Sequence, residues 1–160
     1  TQLCIRQLEK YVNRDTLVLD VGTGSGILGI TALKLGAKEV WGTDLDENAI
    51  NAVRENLEAN SIPEDRFHVL QGNIIDDVSV KEWAGYGKYD VAVANILADV
   101  IILLVDEIPA HLKKGGIFIT SGIINMKEQA VLDAFAKNPA FEVLEVTRQG
   151  EWVSVTARKR

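Results

Sequence analysis

Between its twentieth and twenty-sixth residues the chain reads Asp20-Val21-Gly22-Thr23-Gly24-Ser25-Gly26, a carboxylate followed by three glycines at alternate positions. Glycine tolerates positive φ and lets a ligand come close to bare backbone. The run follows a short β-rich segment, 16–21, and opens a helical one, 27–35. A helix start offers unpaired N–H groups to an anion. Asp44 closes the next β-rich segment, where a carboxylate can accept hydrogen bonds from both hydroxyls of a ribose. Glycines alone would mean only a tight turn. Strand, glycines, helix and distal carboxylate in register point to a nucleoside-bearing cofactor.

The elements that must hold these groups follow from periodicity. Helical spacing is present over 1–12, with Leu3, Cys4, Leu8 and Val12 on one side, and again over 27–35, 47–60, 99–112 and 127–136. Gly36 suits a helix end, and Lys113, Lys114, Gly115 and Gly116 read as the stop of 99–112. Strands are expected over 16–21, 39–44, 66–71, 89–94, 117–121, 141–147 and 152–157. Strands alternating with helices predict an α/β domain with a mainly parallel sheet. The strand cores are apolar on both faces, so helices should cover both sides. The last two strands flank Gln149-Gly150 and should pair antiparallel, giving a seven-stranded mixed sheet with a terminal hairpin. Ligands of such sheets bind outside the carboxyl ends of the strands.

Composition narrows the classes. The 160 residues make about one domain, with 47% hydrophobic and 25% charged residues. One cysteine, Cys4, excludes an internal disulfide, and two histidines, His68 and His111, argue against a His-based metal cluster, so no metal site is assigned. No apolar run reaches the roughly 18 residues of a membrane span, and the first residues lack a signal-peptide layout, so the cytoplasm is the expected location. A net charge of −6 argues against a nucleic-acid surface and leaves small molecules or basic proteins as partners. The chain opens inside a helix, which suggests a domain excised from a longer protein. Oligomeric state is not readable.

Two cofactor classes fit the loop. Gly24-Ser25-Gly26-Ile27-Leu28-Gly29 matches the dinucleotide fingerprint, and Gly22, Gly24 and Gly26 match the tighter pattern of S-adenosylmethionine enzymes. Asp44 serves either, because both ligands carry a ribose. Asp20 beside the glycines suits an ammonium and disfavours a pyrophosphate. The hairpin ending, with no second catalytic domain after it, points the same way. An NAD-dependent oxidoreductase and a non-catalytic cofactor-binding module remain as alternatives of other classes.

Asp20 to Gly26, Asp44 and the terminal hairpin resemble the class I S-adenosylmethionine-dependent methyltransferases. With Ile27-Leu28, Ala94-Asn95-Ile96-Leu97-Ala98 and Ser121-Gly122-Ile123, the chain resembles more narrowly the bacterial PrmA family. The resemblance runs over essentially the whole chain, and the Asn-Ile-Leu-Ala motif is its more specific part. It implies a Rossmann-like methyltransferase fold. It also implies methyl transfer from S-adenosylmethionine, leaving S-adenosylhomocysteine, to lysine ε-amines or an N-terminal α-amine of large-subunit ribosomal protein eleven. A separate module ahead of this region would recognise that substrate. An N-methyltransferase acting on a small molecule or nucleic acid is the alternative.

Residue by residue, the resemblance implies that the backbone around Gly22 and Gly24, with Asp20 nearby and Thr23 and Gly26 completing the loop, holds the methionine end of the cofactor. Asp44 holds the ribose, Leu45 packs on the adenine, and Asn73 and Ile74 border its edge. Many relatives of this class carry Gly-Asp where this chain has Gly72-Asn73. Thr1 matches the tail of a threonine-bearing segment near the cofactor. Asn95 ends the fourth strand, where its amide oxygen can accept from an attacking amine while the Ile96 carbonyl accepts a second N–H. The competing role for Asn95 is capping the next helix. Other residues read more plainly: Cys4 as core, His68 as a strand residue, His111 as a helix-end cation, Trp152 as core or cleft border, and 64–66 and Asp76-Asp77 as solvated loops or helix starts.

Overall fold

Successive residues of a strand face opposite ways, and in the central strands both directions are apolar. Val18, Val91, Val93, Ile117 and Ile119 enter one core, while Leu19, Val21, Ala92, Ala94 and Phe118 enter another. A sheet of that kind needs a helical layer on each face. The computed structural model describes residues 1–160 and has those layers. In chain order the elements are α1 (Gln2–Tyr11), β1 (Leu17–Val21), α2 (Ile27–Lys34), β2 (Glu39–Asp44), α3 (Asn48–Ala59), β3 (Phe67–Gln71), α4 (Val78–Ala84), β4 (Tyr89–Asn95), α5 (Ala98–Glu107), β5 (Leu112–Ile124), α6 (Glu128–Lys137), β6 (Phe141–Gln149) and β7 (Trp152–Lys159).

The sheet runs β3-β2-β1-β4-β5-β7-β6. β1 to β5 are parallel, and β7 lies antiparallel between β5 and β6. The seven-stranded mixed sheet and its terminal hairpin are as expected from sequence. Helices α1, α2 and α3 contribute Cys4, Leu8, Leu28, Leu33, Val53 and Leu57 to one core. Helices α4, α5 and α6 contribute Val80, Ile101, Leu104, Val131 and Phe135 to the other. α2 lies close to the sheet because Gly29 has no side chain: a Cβ there would enter the Phe67 ring and the Val40 side chain. No helix is long and apolar enough to cross a membrane.

Four expectations need correction. A helix, α4, follows β3, where the sequence order has no helical segment; the reading of Asp76-Asp77 as a helix start is met at Asp77, which caps it, its Oδ1 accepting from Ser79 N at 3.0 Å and Ser79 Oγ at 2.7 Å. Helix α5 ends at Glu107 rather than at residue 112. Pro109 has no N–H to give Val105 O four residues back, and the Asn138 amide donates to that carbonyl instead at 3.0 Å. The residues read as a helix stop, 113–116, are part of β5, which starts at Leu112. His111 lies beyond the end of α5, after a short 3-10 turn over Ile108–Ala110. It is fully buried, with Nδ1 2.7 Å from Gly85 O and Nε2 3.3 Å from Glu107 Oε1.

Candidate functional site

Chain order reverses across the β1–β4 boundary: β1 leads outward to β2 on one side and β4 leads to β5 on the other. The connections leaving the carboxyl ends of β1 and β4 therefore diverge and leave a crevice. A cleft of about 660 Å3 lies there. Val21, Gly22, Thr43, Asp44, Leu45, Gly72, Asn73, Ile74 and Ile75 line its β1–β3 side; Asn95, Ile96, Leu97, Val100, Leu103, Gly122 and Trp152 line the other.

The glycine loop is wound tightly under this cleft. Gly22, Gly24 and Gly26 all have positive φ, at 72°, 55° and 84°. Gly22 N and Thr23 N both donate to Thr43 O, at 2.9 and 3.0 Å, tying the loop to β2. A Cβ at Gly22 would come within 2.7 Å of the Ile96 side chain. Thr23 and Asp20 are buried beneath the loop, joined by a 2.8 Å bond from Thr23 Oγ1 to Asp20 Oδ2. Burial pushes the Asp20 carboxyl up to about 6, against the lowering effect of that bond. Asp20, Thr23 and Gly26 are thus buried behind the cleft wall, while Gly24 is exposed beside Asp44.

Asp44 is on the surface of the cleft. Gly24 N donates to its Oδ2 at 2.8 Å and Asp46 N to its Oδ1 at 2.9 Å. Each oxygen keeps a free lone pair. Leu45 is 68% exposed and Ile74 is buried, both on the wall. Asn73 turns its Oδ1 back onto Ile75 N at 2.9 Å, which fixes the side chain at the cleft floor.

Asn95 stands where two cavities meet. A second cavity of about 480 Å3 is lined by Thr1, Gln2, Leu3, Ser121 and Gln149, and shares Asn95, Gly122 and Trp152 with the first. Asn95 Nδ2 donates to Thr1 Oγ1 at 3.1 Å, which leaves Oδ1 as an uncommitted acceptor. The side chain caps no helix: the N-cap of α5 is Leu97, with no side-chain bond, so the capping role is corrected. Gly122, with φ 77°, gives the amide its room. A Cβ there would sit 2.9 Å from Asn95 Oδ1 and 3.0 Å from Ile96 O. Trp152 is 47% exposed and belongs to the border of the cleft, not the core.

Asp44 is the only ionisable side chain that lines either cavity. No group of three or more His, Cys, Asp or Glu is placed to hold a metal ion. The site can therefore hold a polar, ribose-like group at Asp44, a flat apolar group between Leu45 and Ile74, and a hydrogen-bond donor at Asn95. It has no side chain suited to general-base work near Asn95. From sequence, Gly122 has no role beyond the family resemblance, because its partner Asn95 is distant in sequence. Val100 and Leu103 have none, because they lie in the continuous apolar run 100–105, where no local pattern tells the cleft side from the core side.

The family described as Ribosomal protein L11 methyltransferase (PrmA) matches residues 1–160. The ribosomal protein L11 methyltransferase of Lachnospira eligens is 54% identical over 160 residues, which are 100% of this chain and 50% of that protein. That of Clostridium perfringens is 47% identical, over 99% of this chain and 47% of the relative. The crystal structure of ribosomal protein L11 methylase from Lactobacillus delbrueckii subsp. bulgaricus superposes with a TM-score of 0.87 at 35% identity, covering 99% of this chain and 78% of that one. The chain spans about half the length of the curated relatives it matches.

Proposed function

The chain belongs to the ribosomal protein L11 methyltransferase (PrmA) family, and from that premise we propose that it transfers methyl groups from S-adenosylmethionine to lysine ε-amines or an N-terminal α-amine of that large-subunit ribosomal protein. The carrying observation is Asn95: its amide is anchored by Thr1, and its Oδ1 is free at the junction of the two cavities. The oxidoreductase and small-molecule alternatives have no comparable support.

The residues fit the cofactor. Asp44 has one free lone pair on each oxygen for the two ribose hydroxyls. Leu45 and Ile74 offer apolar surface for adenine, with Asn73 Nδ2 at its edge. The bare backbone at Gly22 admits the chain that joins ribose to the amino-acid end, and Thr1 borders the cavity on that side. Asp20 acts from behind, holding Thr23 and so the loop, and supplies negative potential beneath the cofactor's ammonium. When bound, S-adenosylmethionine supplies a methyl carbon made electrophilic by its sulfonium, and transfer leaves S-adenosylhomocysteine.

Asn95 Oδ1 accepts one N–H of the acceptor amine and Ile96 O accepts another, which turns the nitrogen lone pair toward the cleft. Such orientation is worth several kcal/mol. An amide does not titrate, so Asn95 positions the amine and takes no proton. The amine must arrive neutral. At pH 7 this costs a lysine of pKa about 10.4 roughly 4 to 5 kcal/mol, and an α-amine of pKa about 7.8 roughly 1 kcal/mol. With no carboxylate beside Asn95, the proton leaves to water, and the transfer rate should rise with pH.

Single-turnover methyl transfer to the purified ribosomal protein tests the reading. Asn95→Ala should slow transfer about 10- to 100-fold, while affinity for S-adenosylhomocysteine changes far less. Equal rates for the variant and the parent would remove Asn95 from the reaction.

A further inference from the structure

Apolar exposure is not spread evenly over this molecule. Leu97, Leu103 and Trp152, exposed to 74%, 56% and 47%, all line the β4–β5 side of the cleft. Residues 97, 100 and 103 are three apart and fall on one side of the start of α5. The adjoining side of that helix, Ile101, Leu104 and Val105, is buried in the core. The apolar arc of α5 is thus wider than the part the core covers. This strip begins two residues beyond Asn95 and runs about 9 Å along the helix, the length of roughly three residues of extended peptide.

The surrounding charge has one sign. Leu45, Ile75, Val100 and Trp152 line the cleft, and each is next in sequence to an exposed carboxylate: Asp46, Asp76, Asp99 and Glu151. Lys127, 3.6 Å from Asp99, is the one cation bridged to these four. No lysine or arginine lines either cavity. The chain as a whole carries −6. A second copy would bring like charge to this mouth, and an acidic peptide would be repelled.

We infer that Leu97, Val100 and Leu103, with Trp152, form the docking strip for an extended, lysine-bearing and otherwise apolar segment of the acceptor protein, an inference that rests on the methyl-transfer reading above. The acidic rim draws the protonated lysine. The apolar strip then holds the neighbouring residues, and the amine reaches Asn95 in a place that offers no carboxylate to keep it charged. Specificity for lysine in an apolar context thus lies in α5 itself, beside the reacting atoms.

The test is a titration of the chain, loaded with S-adenosylhomocysteine, with the purified ribosomal protein, followed by amide and indole NMR shifts. Shifts should cluster at Leu97, Val100, Leu103 and the Trp152 indole. Leu103→Ser should weaken binding about five-fold or more, and Asp99→Asn should weaken it less and reduce its dependence on salt. Shifts confined to another face, no binding at millimolar protein, or an undiminished affinity in Leu103→Ser would each overturn the docking strip. S-adenosylhomocysteine binding and methyl transfer, measured on the same samples, separate this failure from that of the wider reading: transfer without use of the strip sinks only the strip, whereas loss of cofactor binding in the parent chain sinks both.

Discussion

At the amino-terminal edge of the parallel strands, side chains close the gaps between elements. Asp90 Oδ2 accepts from Leu17 N at 2.9 Å, and Arg66 donates to Ala37 O at 2.6 Å. Lys81, Glu107 and His111 form a chain of contacts at 3.1 and 3.3 Å, with Tyr86 stacked on the imidazole. At the carboxyl edge the same strands end in three positive-φ glycines, a carboxylate buried beneath them, and leucines left in water. Acceptors there are only half used: Asp44 holds one N–H per oxygen and Asn95 Oδ1 holds none. Both edges belong to one sheet and one pair of cores. This difference marks where to look: the free acceptors Asp44 and Asn95 gather at one edge, within a single cleft.

Breaking the closed edge should have the largest effect. His111→Ala removes the imidazole partner of Gly85 O and of Glu107 Oε1 and opens a cavity, so unfolding stability in urea should fall by about 3 kcal/mol or more. An unchanged urea midpoint would mean that the contacts of this edge are incidental. At the open edge, Asp44→Ala should lower cofactor affinity by about 1.5 to 3 kcal/mol for each charge-assisted bond lost. Its stability should change little, since Gly24 N and Asp46 N can turn to water. Calorimetry on the folded variant decides this, and unaltered affinity would take Asp44 out of the site.

Asp20 should act with the opposite sign. Its carboxyl is raised from 3.8 to about 6 in the folded state, so the folded chain binds the proton more tightly than the unfolded one. The resulting penalty is absent below the unfolded value, grows between the two values, and is complete above the folded one. Stability from this site therefore falls as pH rises through that window. Asp20→Asn should abolish the slope and stabilise the cofactor-free chain at pH 7 by about 1 to 3 kcal/mol. Loss of stability instead would show that the charge itself holds the loop. Smallest of all, Leu103→Ser should change stability by less than about 0.5 kcal/mol, because the side chain is already in water; a clear drop in thermal midpoint would place Leu103 in the core.

The open edge was more legible in the sequence than the closed one. Only glycine suits the backbone at positions 22, 24 and 26, so the loop announces itself by residue type. Asp44 and Asn95 end their strands and could be located by counting. The closed edge depends on partners far apart in the chain, such as His111 with Gly85, and no local pattern marks them. Helix α4 escaped notice because seven residues make too short a period, and Val78 and Val80 favour strands. The end of α5 was misread because apolar residues at helical spacing, Ile101, Leu104 and Ile108, carry the pattern past Glu107, while the Pro109 break is repaired by Asn138 from another element. The continuous apolar run 100–105 concealed which side of α5 faces the cleft.

The central claim is that the open edge is a site for S-adenosylmethionine chemistry, completed at Asp44 and Gly22 by a ligand with a ribose and no pyrophosphate. Titration calorimetry of this chain with S-adenosylhomocysteine and with NAD, side by side, tests it most directly. The account predicts saturable one-to-one binding of S-adenosylhomocysteine, weakened by Asp44→Ala, and no measurable heat with NAD. Saturable NAD binding with no response to S-adenosylhomocysteine would contradict it.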